Sequence, residues 1–232
     1  MSRSKRRKTQ VISLAEFQHK KPYVNVQPRN ENQGRYIRLL QGDEKDIIFA
    51  TGPAGTGKTV LACHVAVKML QEKKYRKIVI TRPAVSVDEQ HGFLPGTLEK
   101  KMEPWTRPLF DVFDQYYWKH ELTELINEGV IEIAPLAYMR GRTFEHSFII
   151  ADEMQNTTLS QMKMILTRIG RDSKLVITGD LEQADRMNDN GLKHFKFKMN
   201  GGAYTYIDSV KFDKSEIQRH PAVKEVLDIY GD

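Results

Sequence analysis

Apolar residues along this chain gather in short unbroken runs set between amphipathic stretches. The runs at 47–50, 77–81, 130–134, 148–151 and 174–178 are four or five residues long, and a looser one covers 203–210. Such runs suit strands buried on both faces, and helical spacing between them implies a mainly parallel sheet covered by helices, an α/β architecture. Helical patterns fall at 30–40, after the first run (Val60, Leu61, Val65, Met69), at 159–170, at 190–197 and at 221–230. Asn30 and Gly42 read as the ends of the first helix, and Pro221 starts the last one favourably. The stretch 22–28 alternates like a short edge strand or an extended arm. Residues 88–118 break the alternation: a turn-rich loop at 92–96 precedes an aromatic segment holding Trp105, Phe110, Phe113, Tyr116 and Tyr117. We read this as an insertion near 88–120, packed on the sheet edge, whose aromatics serve either the core or base stacking.

The chain has 232 residues, 40% of them hydrophobic, enough for one substantial core. The expected organisation is a basic tail over 1–20 and a single domain over 21–232. Net charge is +6, but Arg3, Lys5, Arg6, Arg7 and Lys8 carry five of those charges, so the body is nearly neutral. The tail reads as a solvated arm or a sequence-independent nucleic-acid contact. No apolar run reaches membrane-spanning length, and the N-terminus lacks a secretory apolar segment, so a soluble, cytoplasmic protein is expected. The lone cysteine, Cys63, reads as a buried thiol of a reducing compartment. The histidines show no metal-ligand spacing.

Two landmarks carry chemistry. Gly52-Pro53-Ala54-Gly55-Thr56-Gly57-Lys58-Thr59 fits the phosphate-binding pattern G-x-x-x-x-G-K-[ST], between an apolar run and an amphipathic helix. Its glycines let backbone N–H groups curl round a phosphate while the helix directs its positive end at the same place. Lys58 is expected on the β/γ-phosphates and the Thr59 hydroxyl on Mg²⁺. The second landmark is the apolar run 148–151 ending in Asp152-Glu153. In a parallel sheet these carboxylates emerge beside the phosphate loop, Asp152 suited to holding Mg²⁺ and Glu153 to polarising an attacking water. Thr178-Gly179-Asp180, with Gln183 shortly after, forms a polar cluster at another strand end, placed to sense the γ-phosphate. Arg82 ends a strand where ligands bind. Gln33 has an amide able to read an adenine edge.

Taken together, the phosphate loop, Thr81-Arg82-Pro83-Ala84-Val85, Gly92-Phe93-Leu94-Pro95-Gly96, Met139-Arg140-Gly141-Arg142-Thr143, Asp152-Glu153-Met154-Gln155-Asn156-Thr157-Thr158, Thr178-Gly179-Asp180 and Arg219-His220-Pro221 resemble the PhoH family of ATPases. The resemblance spans about Gln33 to Tyr230. It implies a RecA-like P-loop NTPase fold, similar to the first RecA-type domain of superfamily-one helicases. It further implies an adenine-reading role for Gln33, an Asp-Glu-x-Gln box in Asp152, Glu153 and Gln155, and a Gly-Asp-x-x-Gln box in Asp180 and Gln183. Ala151 and Met154 depart from the usual side chains there without touching the chemistry.

The expected function is Mg²⁺-dependent ATP hydrolysis coupled to single-stranded nucleic acid, RNA rather than DNA, through Arg82, Phe93 in the 92–96 loop and the basic tail. The rivals are a small-molecule kinase and a nucleotide-driven protein-interaction module. One phosphate loop, with about fifty residues after Asp180, leaves no room for a second RecA-type domain. A transition-state cation is then expected from a neighbouring subunit of a homo-oligomeric ring, by comparison with related ring ATPases a hexamer, with Arg219 or Arg142 as the donor.

Overall fold

The computed structural model describes residues 23–83, 107–182, 190–200 and 202–218, together with residues 222, 225, 226 and 229. In chain order the elements are α1 (Glu31–Gln41), β1 (Ile47–Thr51), α2 (Lys58–Gln71), β2 (Lys77–Arg82), α3 (107–113), α4 (Lys119–Asn127), β3 (Ile131–Pro135), β4 (Ser147–Ala151), α5 (Leu159–Leu166), β5 (Lys174–Gly179), α6 (Gly191–Met199) and β6 (Ile207–Lys211). The six strands form one sheet in the order β3-β2-β4-β5-β1-β6, and every pairing is parallel.

Alternation along the strands divides the core in two, because successive side chains leave opposite faces of a strand. Ile48, Ala50, Ile78, Ile80, Phe148, Ile150 and Val176 pack under α1–α4. Phe49, Val79, Ile149, Ala151, Leu175 and Ile177 face α5 and α6. Covered on both faces, these strands need apolar residues throughout, which is why they read as unbroken runs.

Local chemistry explains the departures in element bounds. The stretch 22–28 enters as an extended arm in its described part: Val24 is buried, its N–H donates to Gln71 Oε1, and no strand forms. Helix α5 starts at a Thr158/Gln161 capping box and stops at Leu166 rather than 170, since Thr167 Oγ1 donates to the Met164 carbonyl and Ile169 bridges to Phe144. Strand β6 begins only at Ile207 because the carbonyls of Tyr204 and Thr205 accept from Lys45 Nζ. In the aromatic segment, Phe113 is fully buried beside Leu109 and Val112, so at this residue the core use prevails over base stacking.

At the sheet's N-terminal end the buried Lys174 donates to the carbonyls of Leu39, Gly42 and Lys45, satisfying the C-terminal end of α1. At the opposite end, Thr51, Arg82, Ala151 and Gly179 finish their strands together. This is the edge where open α/β sheets bind ligands.

Candidate nucleotide-binding site

The loop from β1 to α2 takes backbone conformations that glycine alone adopts freely. Gly52, Gly55 and Gly57 have φ of 141°, 85° and 89°. A Cβ on Gly52 would stand 2.3 Å from Phe212 O, so the chain just past β6 packs against the loop too closely for any side chain. Helix α2 then starts at Lys58 with no side-chain cap, leaving its first N–H groups and positive end turned to the loop. Lys58 Nζ lies among loop oxygens, 2.6 Å from Gly52 O and 2.7 Å from Pro53 O. Burial pushes its pKa down, and the charges of Asp180, Glu153 and Asp152 oppose that shift. An incoming anion would work in the same direction as those carboxylates.

Asp152 is the hub of the site. It follows β4, is almost fully buried, and its Oδ1 accepts hydrogen bonds from Thr59 Oγ1 at 2.6 Å and from Thr178 Oγ1. Its Oδ2 accepts from Arg82 Nε at 3.0 Å and Nη2 at 2.5 Å. Glu153 comes next, in the left-handed region at φ 55° and ψ 38°, a strained setting for a side chain of this size. Strain of this kind is held in place by its surroundings. Gln155 Nε2 donates to Glu153 Oε2 at 2.5 Å, while Gln155 Oε1 accepts from Asp180 N at 3.1 Å. Asp180 Oδ2 in turn accepts from Ala54 N at 3.1 Å. One hydrogen-bonded chain therefore runs from Glu153 through Gln155 and Asp180 into the phosphate loop.

Gln33, on the first turn of α1, is buried with its amide set against the loop: Nε2 donates to Thr56 O at 3.1 Å and Oε1 accepts from Arg29 N at 2.9 Å. One N–H and one lone pair of that amide are left over. A cleft of about 700 Å³ opens here, lined among others by Gln33, Gly57, Lys58, Thr59, Asp152, Glu153 and Asp180.

The sequence-expected residues Gln33, Gly52, Pro53, Ala54, Gly55, Thr56, Gly57, Lys58, Thr59, Asp152, Glu153, Gln155, Thr178 and Asp180 thus gather at one strand edge. Arg82, expected as a nucleic-acid contact, turns its guanidinium onto Asp152 instead. Arg142 stands apart, forming a two-pronged ion pair with Glu132 of edge strand β3 while its guanidinium covers the Phe144 ring. Phe93, Gln183 and Arg219 lie outside the described residues. Gln218, which precedes Arg219 in the chain, lines the cleft and donates its backbone N–H to Gly55 O at 2.9 Å.

Sequence reasoning missed part of the wall. The arm 25–29, His64, Gln115 and Tyr116 line the cleft, and Tyr116 Oη pairs with His64 Nδ1 at 2.8 Å. Burial lowers the His64 pKa. The available signal was weak: a histidine at the end of the second turn of the helix following the phosphate loop, and a tyrosine at the end of an aromatic segment.

Comparison with known proteins places this geometry. The family described as PhoH-like protein matches residues 25–231. The chain is 41% identical over 208 residues to a PhoH-like protein of Bacillus subtilis, covering 89% of this chain and 64% of that one. It is 44% identical over 165 residues to Protein PhoH of Escherichia coli, covering 68% of this chain and 44% of that one. The chain thus spans less than two thirds of the length of these relatives. Among solved structures it is similar to the Pif1 helicase of Candida albicans, with 16% identity, 89% of this chain and 44% of that one covered, and a TM-score of 0.45. With its P-loop site, a family match over residues 25–231 and 41% identity over 89% of its length to a relative, the chain is a member of the PhoH family.

Proposed function

We propose that this protein hydrolyses ATP and couples the reaction to single-stranded nucleic acid, RNA rather than DNA. The observation that carries the first part is the convergence of Thr59 and Thr178 on Asp152, beside Lys58 and Glu153. A hydroxyl and a carboxylate oxygen 2.6 Å apart at the start of α2 form a hard-oxygen donor pair, which fits Mg²⁺ provided phosphate and water complete the shell. Mg²⁺ held by Thr59 and Asp152 would supply charge neutralisation at the β- and γ-phosphates. Lys58 trades its loop carbonyls for phosphate oxygens. Glu153, with Gln155 steadying one carboxylate oxygen, orients the attacking water and accepts its proton. Asp180 reports loop position back to Gln155, so the water-orienting carboxylate and the phosphate loop move together.

Nucleic-acid coupling is supported by the family resemblance; Arg82, at the end of β2, could take part only by releasing Asp152. The assembly we infer is a homo-oligomeric ring, with a hexamer as the expected size and a cation from one subunit completing its neighbour's site. Arg142, in the connection between β3 and β4 and held against Glu132 of that edge strand, suits an outward role provided it leaves Glu132.

The test is phosphate release from ATP by purified protein without any acceptor, with and without Mg²⁺, across a panel of RNA and DNA single strands. Release that needs Mg²⁺ and rises with RNA supports the reading. Phosphate that appears only on a small-molecule acceptor would mean a kinase, and bound nucleotide that is never hydrolysed would mean an interaction module. For the ring, mixing Glu153→Gln with Arg142→Ala or Arg219→Ala protein should restore hydrolysis, since a mixed interface pairs an intact glutamate with an intact arginine.

A further inference from the structure

Among the described residues, helix α6 packs on one side. Leu192 is buried, and Phe195 stacks on Phe49 of β1 with centroids 5.1 Å apart. Lys193, His194, Phe197 and Lys198 are exposed, and their three- and four-residue spacings put them on one helical face. Phe197 is 74% exposed, an unusual position for a phenylalanine on a helix that already has a packed side. The chain then passes through 202–206, all exposed in this structure, with Tyr206 64% and Tyr204 39% accessible. Lys45 Nζ pins this segment by its carbonyls at Tyr204 and Thr205. Residues 190–207 contain three lysines and no acidic residue, within a body whose charges otherwise nearly balance.

We propose that α6 and the 202–206 segment form a binding surface for single-stranded nucleic acid. This rests on the nucleic-acid reading above and assigns it a place in addition to Arg82 and residues 92–96. Three lysines with no acidic residue between 190 and 207 suit a polyanion. Exposed flat aromatics among those lysines select a strand whose bases are unstacked, because each base can lie on a ring, whereas a duplex keeps its bases inside. The surface also touches the nucleotide site: Lys196 Nζ, from the inner side of the same helix, donates to Thr51 Oγ1 at 2.7 Å, and Thr51 immediately precedes the phosphate loop.

The test is titration of the full chain with fluorescein-labelled oligouridylate over a range of salt. Lys193→Ala/Lys198→Ala should weaken binding and flatten the salt dependence by about 1.4 in log K against log salt, about 0.7 for each phosphate that is no longer neutralised. Phe197→Ala should weaken binding roughly tenfold and leave that slope unchanged, since stacking releases no counterions. Unchanged melting temperatures in both variants would keep the result from being misfolding. Wild-type protein that binds while both variants bind equally well would overturn this surface and leave the proposed function standing. Wild-type protein that binds no single strand at any salt would overturn both. Unchanged binding with altered sedimentation in Phe197→Ala would overturn the surface by reassigning it to contact between copies of the chain.

Discussion

Thr59 Oγ1 lies 2.6 Å from Asp152 Oδ1, joining the first turn of α2 to the end of β4 across the intervening β5. The two side chains come from segments 93 residues apart, and the contact is what turns a phosphate loop and an acidic strand end into one site. Asp152→Asn keeps the size of the side chain and removes its charge. The Mg²⁺ concentration needed for half-maximal nucleotide-dependent activity should then rise by about tenfold or more, as for changes around a metal ligand. An unchanged Mg²⁺ requirement would remove Asp152 from the metal's surroundings.

Lys58 and Glu153 divide binding from turnover. Lys58→Ala removes the cation that the loop carbonyls hold in place, and fluorescent ATP should bind at least about tenfold more weakly, or about 1.4 kcal/mol. Glu153→Gln keeps the side-chain shape but cannot accept a proton, so binding should change little while turnover falls by about 10²- to 10⁴-fold. Equal loss of binding in both variants would defeat the division of roles.

Much of this was legible in the sequence because the β1 and β4 runs and the glycine pattern are local signals. Ile48 and Phe49 must be apolar on both faces of a covered strand, and Gly52 must lack a Cβ beside Phe212 O, so composition and position agree. What was not legible depends on long-range contact. Arg82 reads as a strand-end arginine open to a ligand until β2 and β4 pair and bring Asp152 to its guanidinium. Tyr116 reads as one aromatic among several until α2 places His64 beside it. The tight start of α6 gives no one-dimensional sign at all, since Gly191 looks like any helix-end glycine.

That glycine is a steric requirement. A Cβ on Gly191 would stand 2.4 Å from Thr158 O and 2.7 Å from Met162 Cβ, where α5 begins beneath α6. Gly191→Ala must therefore part the two helices, and overpacking of this kind costs about 1–3 kcal/mol. Chemical denaturation should show the loss as a lower midpoint with unchanged slope. A gain in stability, as expected where Gly→Ala only improves helix propensity, would show that the helices can separate freely.

The last prediction concerns the far edge of the sheet. Glu132 accepts both prongs of Arg142 and also Lys77 Nζ at 2.6 Å. The hydrogen bond from Arg142, with Lys77 adding to it, holds the Glu132 carboxyl down to about 2 from an ordinary 4.5, against the opposing effect of partial burial. Because the folded value lies below the unfolded one, the unfolded chain binds this proton first as the solution is acidified. The stabilisation is therefore complete above pH 4.5 and fades as pH falls towards 2. With side chains 23% and 37% exposed, water screens the pair, and about 1–2 kcal/mol is a reasonable size for the effect. Glu132→Gln should melt a few degrees lower than the wild type at pH 6, and that gap should narrow steadily between pH 4.5 and 2. Subtracting the two curves cancels the other carboxylates, which titrate alike in both proteins. A gap that stays constant across the window would mean the side chain stabilises the edge by packing and neutral hydrogen bonding, with its charge contributing nothing.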